Sequence, residues 1–503
     1  MRPPPRRRIP PKALILAAGS LLLFAAAEAV YRRHLAGAPP SASGAAFELY
    51  VVGESTAEGF PFRRELAPAW LVSRMFADSI RGRKIRVIFT ARSGDSIYPQ
   101  SVALERELRR RNRRNPGAVV IYSGHNDAGQ ARGLPLFERL KEGVLHRSAL
   151  LSDLLFFAEK RSLIPRIRTL ETWQHHLRRV VEMSRRSGLV PVLTTAVSDI
   201  ADMDPGLGAS ERMSRARIGA LFSRGEALEA ARGGEAALRY YSRLMDEHPD
   251  LRSYLAYRMG KILQSAGRHG EARRRLWEAV DSGPSGGFGR ATSRQNGFIR
   301  SLARQSSTPL VDAVAIFETR SPGGLMGGGL FSDGQHPSMR GYLLLAEAMA
   351  RRLSEEFQEP VRRTFREPED VFREFSCGPD CQAHAHVVSG RWLLSVAGGH
   401  ALPRLRLDRA AASFRRARAL RPDSFDAWLG LGITEAALRS GLLTDPESLA
   451  WLGRLRWFHG GEGDITAAEL RALLQRMRAA RVPDSIIQKI LRLQPARSDA
   501  AER

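Results

Sequence analysis

The chain contains few cysteines and few lysines. Two cysteines in 503 residues exclude a disulfide-rich miniprotein and a four-cysteine zinc module. Lysine supplies only six of the 78 basic residues, so arginine carries most of the formal net charge of +25. These arginines are spread over helical stretches without a nucleic-acid-binding signature, so we expect no nucleic-acid partner. With 43% hydrophobic and 26% charged residues, the composition also excludes wholesale disorder and a polytopic membrane protein.

An apolar run, 13–27, lies near the N-terminus behind a basic tail, and only Arg32 and Arg33 follow it closely. The run is about long enough for a short membrane helix or for the apolar region of a signal peptide. Because positive flanks stay cytoplasmic, we expect an uncleaved membrane anchor with the following chain in the periplasm. A removed signal peptide is the alternative. With an uncleaved anchor, residues 1–45 would comprise a cytoplasmic tail, the anchor and a spacer.

The two cysteines lie close together, with Gly-Pro between them to allow a tight turn. In an oxidising compartment Cys377 and Cys381 are expected to form a local disulfide. His384 and His386 follow, so a metal site is the alternative, and two histidines at i, i+2 suit a strand. Their spacing is not a standard zinc pattern. We therefore predict no metal and no cofactor.

From residue 46 onward, short apolar runs alternate with amphipathic helices such as 64–80. The runs that predict strands are 47–53, 84–92, 117–124, 189–197 and 308–317. Strand-helix alternation predicts an α/β domain with a parallel sheet and helices on both faces.

Two stretches break this alternation and are helical throughout. In 206–285, Gly234-Glu235-Ala236 recurs as Gly270-Glu271-Ala272, and a similar spacing appears in 359–503. A period of about 35 residues resembles the tetratricopeptide repeat. An ordinary helical bundle is the alternative. The α/β domain would therefore be split into 46–205 and 286–358, and the helical segments would pack on it or on each other.

Residues that suit acyl transfer follow the predicted strands or precede the last helix of the α/β domain. In chain order they are Ser55, Gly94, His125, Asn126, Asp333 and His336. Ligands bind past the carboxyl ends of strands in an open parallel sheet, so we expect these loops to meet. A serine nucleophile, a histidine base, an orienting carboxylate and oxyanion donors together make a serine hydrolase.

With these motifs, the chain resembles the SGNH (GDSL) hydrolase family over about 46–205 and 286–357. The resemblance implies a flavodoxin-like, three-layer α/β/α fold. It also implies that Ser55 attacks an ester carbonyl, that His336 transfers the proton and that Asp333 holds the imidazole. The N–H groups of Ser55 and Gly94 and the side-chain amide of Asn126 would stabilise the oxyanion. We interpret His125, which lies inside the third block, as a substrate-binding residue.

Two features depart from the family pattern. The usual Gly-Asp-Ser appears here as Gly53-Glu54-Ser55, with a longer carboxylate before the nucleophile. A literal Gly94-Asp95-Ser96 follows the second strand. If it were the first block, the 47–53 strand would have no role and the second block would lose its glycine. We therefore favour Ser55 over Ser96.

The sequence thus predicts a membrane-tethered, periplasmic serine esterase or acyl-hydrolase. Its substrate would be an acyl ester, such as an O-acetylated envelope glycan or a lipid. The expected partners are this substrate, the membrane through the N-terminal helix and a protein bound by the helical repeats. Two alternatives remain: an acyltransferase that uses the same residues, and a repeat-based scaffold with an inactive SGNH domain.

Overall fold

The computed structural model describes residues 11–36, 45–127, 140, 148–161, 163, 169–207, 213–283, 289–398, 400–440, 446–461 and 463–494. The basic tail before residue 11 and most of the predicted spacer, 37–44, lie outside these described residues.

Six strands form one sheet. Their bounds are β1 Ala46–Gly53, β2 Ser79–Ile80, β3 Arg83–Phe89, β4 Gly117–Tyr122, β5 Val190–Thr194 and β6 Leu310–Val311. The strand order is β2-β3-β1-β4-β5-β6, and every pairing is parallel except that of β2 with β3. The five parallel strands follow the flavodoxin-like order, which confirms the predicted fold class.

Helices cover both faces of this sheet. In chain order the α-helices are α1 Pro11–Ala36, α2 Ser55–Glu58, α3 Pro68–Met75, α4 Ile97–Arg109, α5 Ala149–Lys160, α6 Leu170–Arg186, α7 Arg215–Arg232, α8 Gly234–Glu247, α9 Arg252–Ser265, α10 His269–Asp281, α11 Ser293–Gln305, α12 Ala313–Arg320, α13 Met339–Phe357, α14 Pro368–Glu374, α15 Pro379–Ala397, α16 Arg404–Leu420, α17 Phe425–Arg439, α18 Pro446–Leu452, α19 Arg456–His459, α20 Ala467–Ala479 and α21 Asp484–Leu493. Short 3₁₀ turns lie at Arg64–Leu66, Pro249–Leu251 and Pro322–Gly324.

Strand β1 is buried along its whole length because both faces of the sheet are covered. Successive side chains of a strand point to opposite faces. Leu49 and Val51 accordingly join the core beneath α3 and α13, whereas Tyr50 and Val52 join the core beneath α4, α6 and α11. The near-continuous apolar sequence of this strand therefore serves two hydrophobic layers.

Two strands differ from the sequence prediction. Only Leu310–Val311 of the predicted strand 308–317 pairs in the sheet, because Asp312 caps α12 by accepting a hydrogen bond from the Ala315 N–H. Strand β2 lies inside the predicted helix 64–80. The positive φ angles of Ala77 and Asp78 end that helix and turn the chain into the sheet edge.

Helices α7 to α10 form the insertion between β5 and β6, and each contacts the next along the chain. Glycine is required where they pack closely. A Cβ atom at Gly225 would lie 2.3 Å from the Tyr241 ring, and one at Gly260 would lie 2.7 Å from Leu276. Gly225 and Gly260 are separated by one predicted period of about 35 residues, so this close packing recurs with the repeat. The tetratricopeptide assignment and the predicted domain boundaries stay predictions.

The C-terminal helices pack against the segment that follows β5. Arg406 Nε donates to Asp204 Oδ1 at 3.0 Å, and Arg409 Nη1 donates to Asp199 Oδ2 at 2.9 Å. Both aspartates are fully buried. The Asp199 N–H in turn donates to the carbonyl of Gly334, at 3.0 Å, beside the predicted Asp333. The C-terminal region and the predicted catalytic loop therefore contact the same segment.

Replacing Arg409 by alanine should destabilise the protein by about 3 kcal/mol, because it leaves the buried Asp199 carboxylate without its cationic partner. The thermal unfolding midpoint, followed by circular dichroism, measures the effect. Arg404→Ala on the same helix is the control, since Arg404 is exposed and pairs with Asp408 one turn away. Equal midpoints for the two variants would contradict this account of the docking contact.

Cys377 and Cys381 form a disulfide at the start of α15. The bonded sulfurs are therefore not thiolate ligands, and no group of three potential metal ligands occurs among the described residues. The spacing of His384 and His386 suits a strand, but the structure places both residues within helix α15. Residues two apart on a helix do not share a face, so this pair is poorly arranged to bind one ion.

The N-terminal helix α1 contacts α5. Tyr31 donates to Asp153 at 2.5 Å, and Glu28 accepts from Ser148 Oγ at 2.6 Å and from the Leu150 N–H at 3.0 Å. The membrane anchor predicted here is not found, because no helix among the described residues combines the length and apolar character needed to cross a membrane.

Candidate active site

Three side chains from distant parts of the chain meet at the carboxyl end of β1. Ser55 is the first residue of α2, and His336 lies just before α13. Ser55 Oγ is 2.8 Å from His336 Nε2. His336 Nδ1 is 2.8 Å from Asp333 Oδ2 and 3.0 Å from Asp333 Oδ1. The structure therefore brings the three residues predicted as nucleophile, base and orienting acid into one hydrogen-bonded chain.

The Asp333 carboxylate is fully buried, and several donors surround it. Its Oδ1 accepts the backbone N–H groups of Gln335 and His336, both at 2.9 Å. Burial acts to raise the pKa of Asp333, but the His336 ring and these N–H donors outweigh it, so the pKa lies below its usual 3.8. The carboxylate is therefore ionised at neutral pH. Its stabilising contribution is present above the usual pKa and is lost as the pH falls through the lowered value.

Glu54, the residue that departs from the family pattern, is fully buried beside the nucleophile. Its Oε1 accepts from Ser123 Oγ at 2.6 Å and from the Gly124 N–H at 3.1 Å. Both partners lie at the end of β4. The longer carboxylate therefore joins the Ser55 turn to the neighbouring strand end.

Replacing Glu54 by alanine should cost about 2 kcal/mol of stability, because the buried Ser123 hydroxyl and Gly124 N–H lose their acceptor. The thermal unfolding midpoint should fall, and Glu65→Ala, which removes an exposed carboxylate from the next turn of chain, should leave it unchanged. A midpoint for the Glu54 variant equal to that of the Glu65 variant would show that these hydrogen bonds contribute little.

The loop that carries Gly94 is held against both α2 and the end of β4. Ser93 donates its N–H and its hydroxyl to Glu58 Oε2, each at 2.7 Å. Asn126 Nδ2 donates to the Asp95 carbonyl at 2.9 Å. Gly94 adopts a φ of +78°, a left-handed conformation that favours glycine. Gly94 and Asn126, two of the three predicted oxyanion donors, thus belong to adjoining loops.

Asp127 strengthens the same junction, because its Oδ2 accepts from the Ile97 N–H at 3.0 Å. This contact fixes the start of α4 to the β4 end. Ser96 precedes α4, and no hydrogen bond from it to a histidine occurs among the contacts of the described residues. The geometry thus favours Ser55 over Ser96 as the nucleophile.

His125 is completely buried. Its Nε2 lies 2.7 Å from the Val197 carbonyl, and its Nδ1 lies 3.3 Å from Thr56 Oγ1 and 3.8 Å from Glu54 Oε2. Both ring nitrogens therefore face protein atoms. This placement indicates that His125 joins β4, α2 and the segment after β5, and the substrate contact predicted for it has no support from the geometry.

Two aromatic residues that the sequence pattern does not predict lie beside the triad of Ser55, His336 and Asp333. The Phe60 ring lies 4.3 Å from the His336 ring, centroid to centroid. The Trp392 ring, on helix α15 of the C-terminal region, lies 6.0 Å from the His336 ring. The two aromatic rings are 6.3 Å apart. Local spacing carries no signal for Trp392, since its position depends on how the C-terminal helices pack. Phe60 follows Ser55 by five residues, so its closeness in sequence is a local signal for its place near the site.

No protein-family model matches the chain, and no curated protein is similar to it in sequence. Among solved structures, a lipase/acylhydrolase from Enterococcus faecalis shares 14% identity at a TM-score of 0.31, covering 63% of this chain and all of that one. A catalytic mutant of an acetylxylan esterase from Geobacillus stearothermophilus shares 14% identity at a TM-score of 0.32, covering 64% of this chain and 99% of that one.

A GDSL-like lipase from Bacteroides thetaiotaomicron shares 11% identity at a TM-score of 0.29, covering 66% of this chain and 97% of that one. Because these TM-scores are low, the three structures say nothing about the chemistry of the site, which follows from the contacts among its own residues. What the sheet and the triad establish together is a mixed α/β fold of mostly parallel strands with a Ser-His-Asp chain at a strand end.

Proposed function

We propose that this protein is a serine ester hydrolase that works through an acyl-enzyme on Ser55. The observation that carries the proposal is the hydrogen-bonded chain from Ser55 Oγ through the His336 ring to Asp333, which joins residues 281 positions apart in sequence. A serine hydroxyl is a weak nucleophile unless a base within hydrogen-bond reach removes its proton. His336 Nε2, at 2.8 Å, meets that requirement.

In the first half-reaction Ser55 Oγ attacks the carbonyl carbon while its proton passes to His336 Nε2. The carbonyl oxygen gains negative charge. The Ser55 and Gly94 N–H groups and the Asn126 amide are the donors proposed to bind it. The Ser55 N–H suits this role because the first N–H groups of a helix have no partner inside that helix.

The tetrahedral intermediate then collapses. The bond from carbon to the alcohol oxygen breaks, and His336 gives the proton to the departing alcohol. Asp333 stabilises the imidazolium throughout and keeps Nδ1 protonated. In the second half-reaction water replaces the alcohol: His336 takes its proton, the acyl–Ser55 bond breaks, and the proton returns to Ser55 with release of the acid.

The substrate class proposed is an acyl ester, such as an O-acetylated glycan, with a lipid ester as the second candidate. A series of p-nitrophenyl esters from acetate to octanoate, given to the purified full-length chain, tests the proposal. We expect turnover of at least one of these esters, and we expect a fluorophosphonate to abolish it. Absence of turnover with every ester would contradict the proposal and favour the scaffold alternative.

We propose, as the sequence predicts, that the protein works in an extracytoplasmic compartment. The Cys377–Cys381 disulfide supports this location, since disulfides persist in oxidising compartments and are rare in the cytosol. Alkylation of protein taken directly from cells, with and without prior reduction, tests the location. We expect alkylated cysteines only after reduction, and free thiols in the unreduced sample would contradict it.

A further inference from the structure

The C-terminal helical region reaches the triad through helix α15. Ser389 Oγ donates to the Ser332 carbonyl at 3.3 Å, and the Ser332 N–H donates to the His336 carbonyl at 2.8 Å. Residues three apart lie on the same face of a helix, so Trp392 points toward the same loop as Ser389. The face of α15 that includes both residues therefore packs over the segment carrying the catalytic histidine.

Trp392 and Phe60 form an aromatic pair around His336. Both side chains are partly exposed, whereas the His336 imidazole is buried. The Phe60 carbonyl accepts a hydrogen bond of 2.6 Å from the buried Tyr342 hydroxyl, which fixes the backbone of that turn. The pair thus lies at the rim of the site, where solvent or substrate can touch it.

The position of the Phe60–Trp392 pair beside His336 determines which part of a bound ester it can contact. The carbonyl oxygen must point toward Gly94, Asn126 and the Ser55 N–H. The alcohol oxygen must instead come within hydrogen-bond reach of His336 Nε2, which returns the proton to it. The rings that flank the imidazole therefore face the alcohol part of the ester rather than its oxyanion.

We propose that Trp392, supplied by the C-terminal helical region, is a specificity residue that binds the alcohol part of the substrate. An indole ring offers a large flat apolar face and loses little conformational freedom on binding. The alcohol it fits is a cyclic one with an apolar face, as in a sugar ring. This inference rests on the proposed esterase function and adds which region of the chain recognises the substrate.

Two acetate esters with the same acyl group and different alcohols test the inference on the full-length chain. We expect Trp392→Ala to lower kcat/KM for cyclohexyl acetate about tenfold, and for methyl acetate less than threefold, because only the ring contacts the indole. Trp392→Phe should restore most of the preference. Trp428→Ala, a partly exposed tryptophan of the same region that bonds the Pro422 carbonyl, is the matched control and should change neither value.

A second measurement separates substrate binding from mere support of His336. Both esters, and p-nitrophenyl acetate, pass through the same acetyl–Ser55 intermediate, so their deacylation step is shared. If Trp392 contacts the alcohol, the deacylation rate measured after a p-nitrophenyl acetate burst is unchanged in Trp392→Ala. If Trp392 only positions His336, acylation and deacylation fall together for every ester, which would overturn the inference.

The result that would overturn the proposed function differs from the result that would overturn the role of Trp392 alone. Absence of Ser55-dependent turnover of any ester in the unmodified chain would overturn the proposed function and this inference with it. Normal turnover whose ratio between cyclohexyl and methyl acetate is the same in Trp392→Ala would overturn this inference alone.

Discussion

Replacing Ser55 by alanine is expected to lower kcat/KM for p-nitrophenyl acetate by about 10³-fold or more. We expect the variant to keep the fold, because the hydrogen bond that it loses is the single one between Ser55 Oγ and His336 Nε2. The substitution removes the proposed nucleophile, and without it the proposed acyl-enzyme cannot form. Release of p-nitrophenol by purified protein, corrected for the rate in buffer, measures the effect, and circular dichroism checks that the fold is retained.

Ser96→Ala is the matched control for this experiment. Ser96 belongs to the literal Gly94-Asp95-Ser96 and lies on the loop next to that of Ser55. We expect its removal to leave most of the activity, since Ser55 is the serine bonded to the histidine. Loss of activity in Ser96→Ala together with full activity in Ser55→Ala would reverse the assignment.

The second large effect is expected from Asp333→Asn, which should reduce kcat by about 10³- to 10⁴-fold with a much smaller change in KM. The remaining amide oxygen can still accept the Gln335 and His336 N–H groups, so the loop keeps its backbone contacts. The negative charge is lost, however. His336 then lacks the partner that fixes its tautomer and stabilises its charged form.

Steady-state kinetics of Asp333→Asn and of Glu318→Gln, a conservative change of a carboxylate outside the triad, measure this effect. The thermal unfolding midpoint should identify any variant that loses its fold. An Asp333→Asn enzyme with kcat within threefold of the unmodified chain would show that the carboxylate does not assist the histidine.

The α/β fold and the triad could be predicted from sequence because their signals are local. An apolar strand followed by a polar residue indicates the carboxyl end of a strand in a parallel sheet, and parallel strands bring these ends to one edge. Ser55 and His336 could therefore be placed at the same edge although nearly three hundred residues separate them. The short β6 was predicted too long, since Asp312 starts a helix where apolar residues continue.

Tertiary packing determines the features that local patterns missed. Trp392 reaches His336 only because α15 lies across the loop from Ser332 to His336, and nothing in its neighbouring sequence predicts that contact. Arg409 meets Asp199 for the same reason. The place of His125 in the third sequence block predicts a substrate contact, whereas in the structure its ring is buried and both ring nitrogens lie within hydrogen-bond distance of protein atoms.

The most direct test of the central claim is covalent labelling with a fluorophosphonate, followed by digestion and mass spectrometry. Such a probe reacts with a serine whose hydroxyl is activated by a neighbouring base. The geometry predicts one stoichiometric adduct on Ser55, absent from His336→Ala because the base is missing. An unlabelled protein, or an adduct on Ser96 with Ser55 unmodified, would contradict the assignment of Ser55, His336 and Asp333 as the catalytic triad.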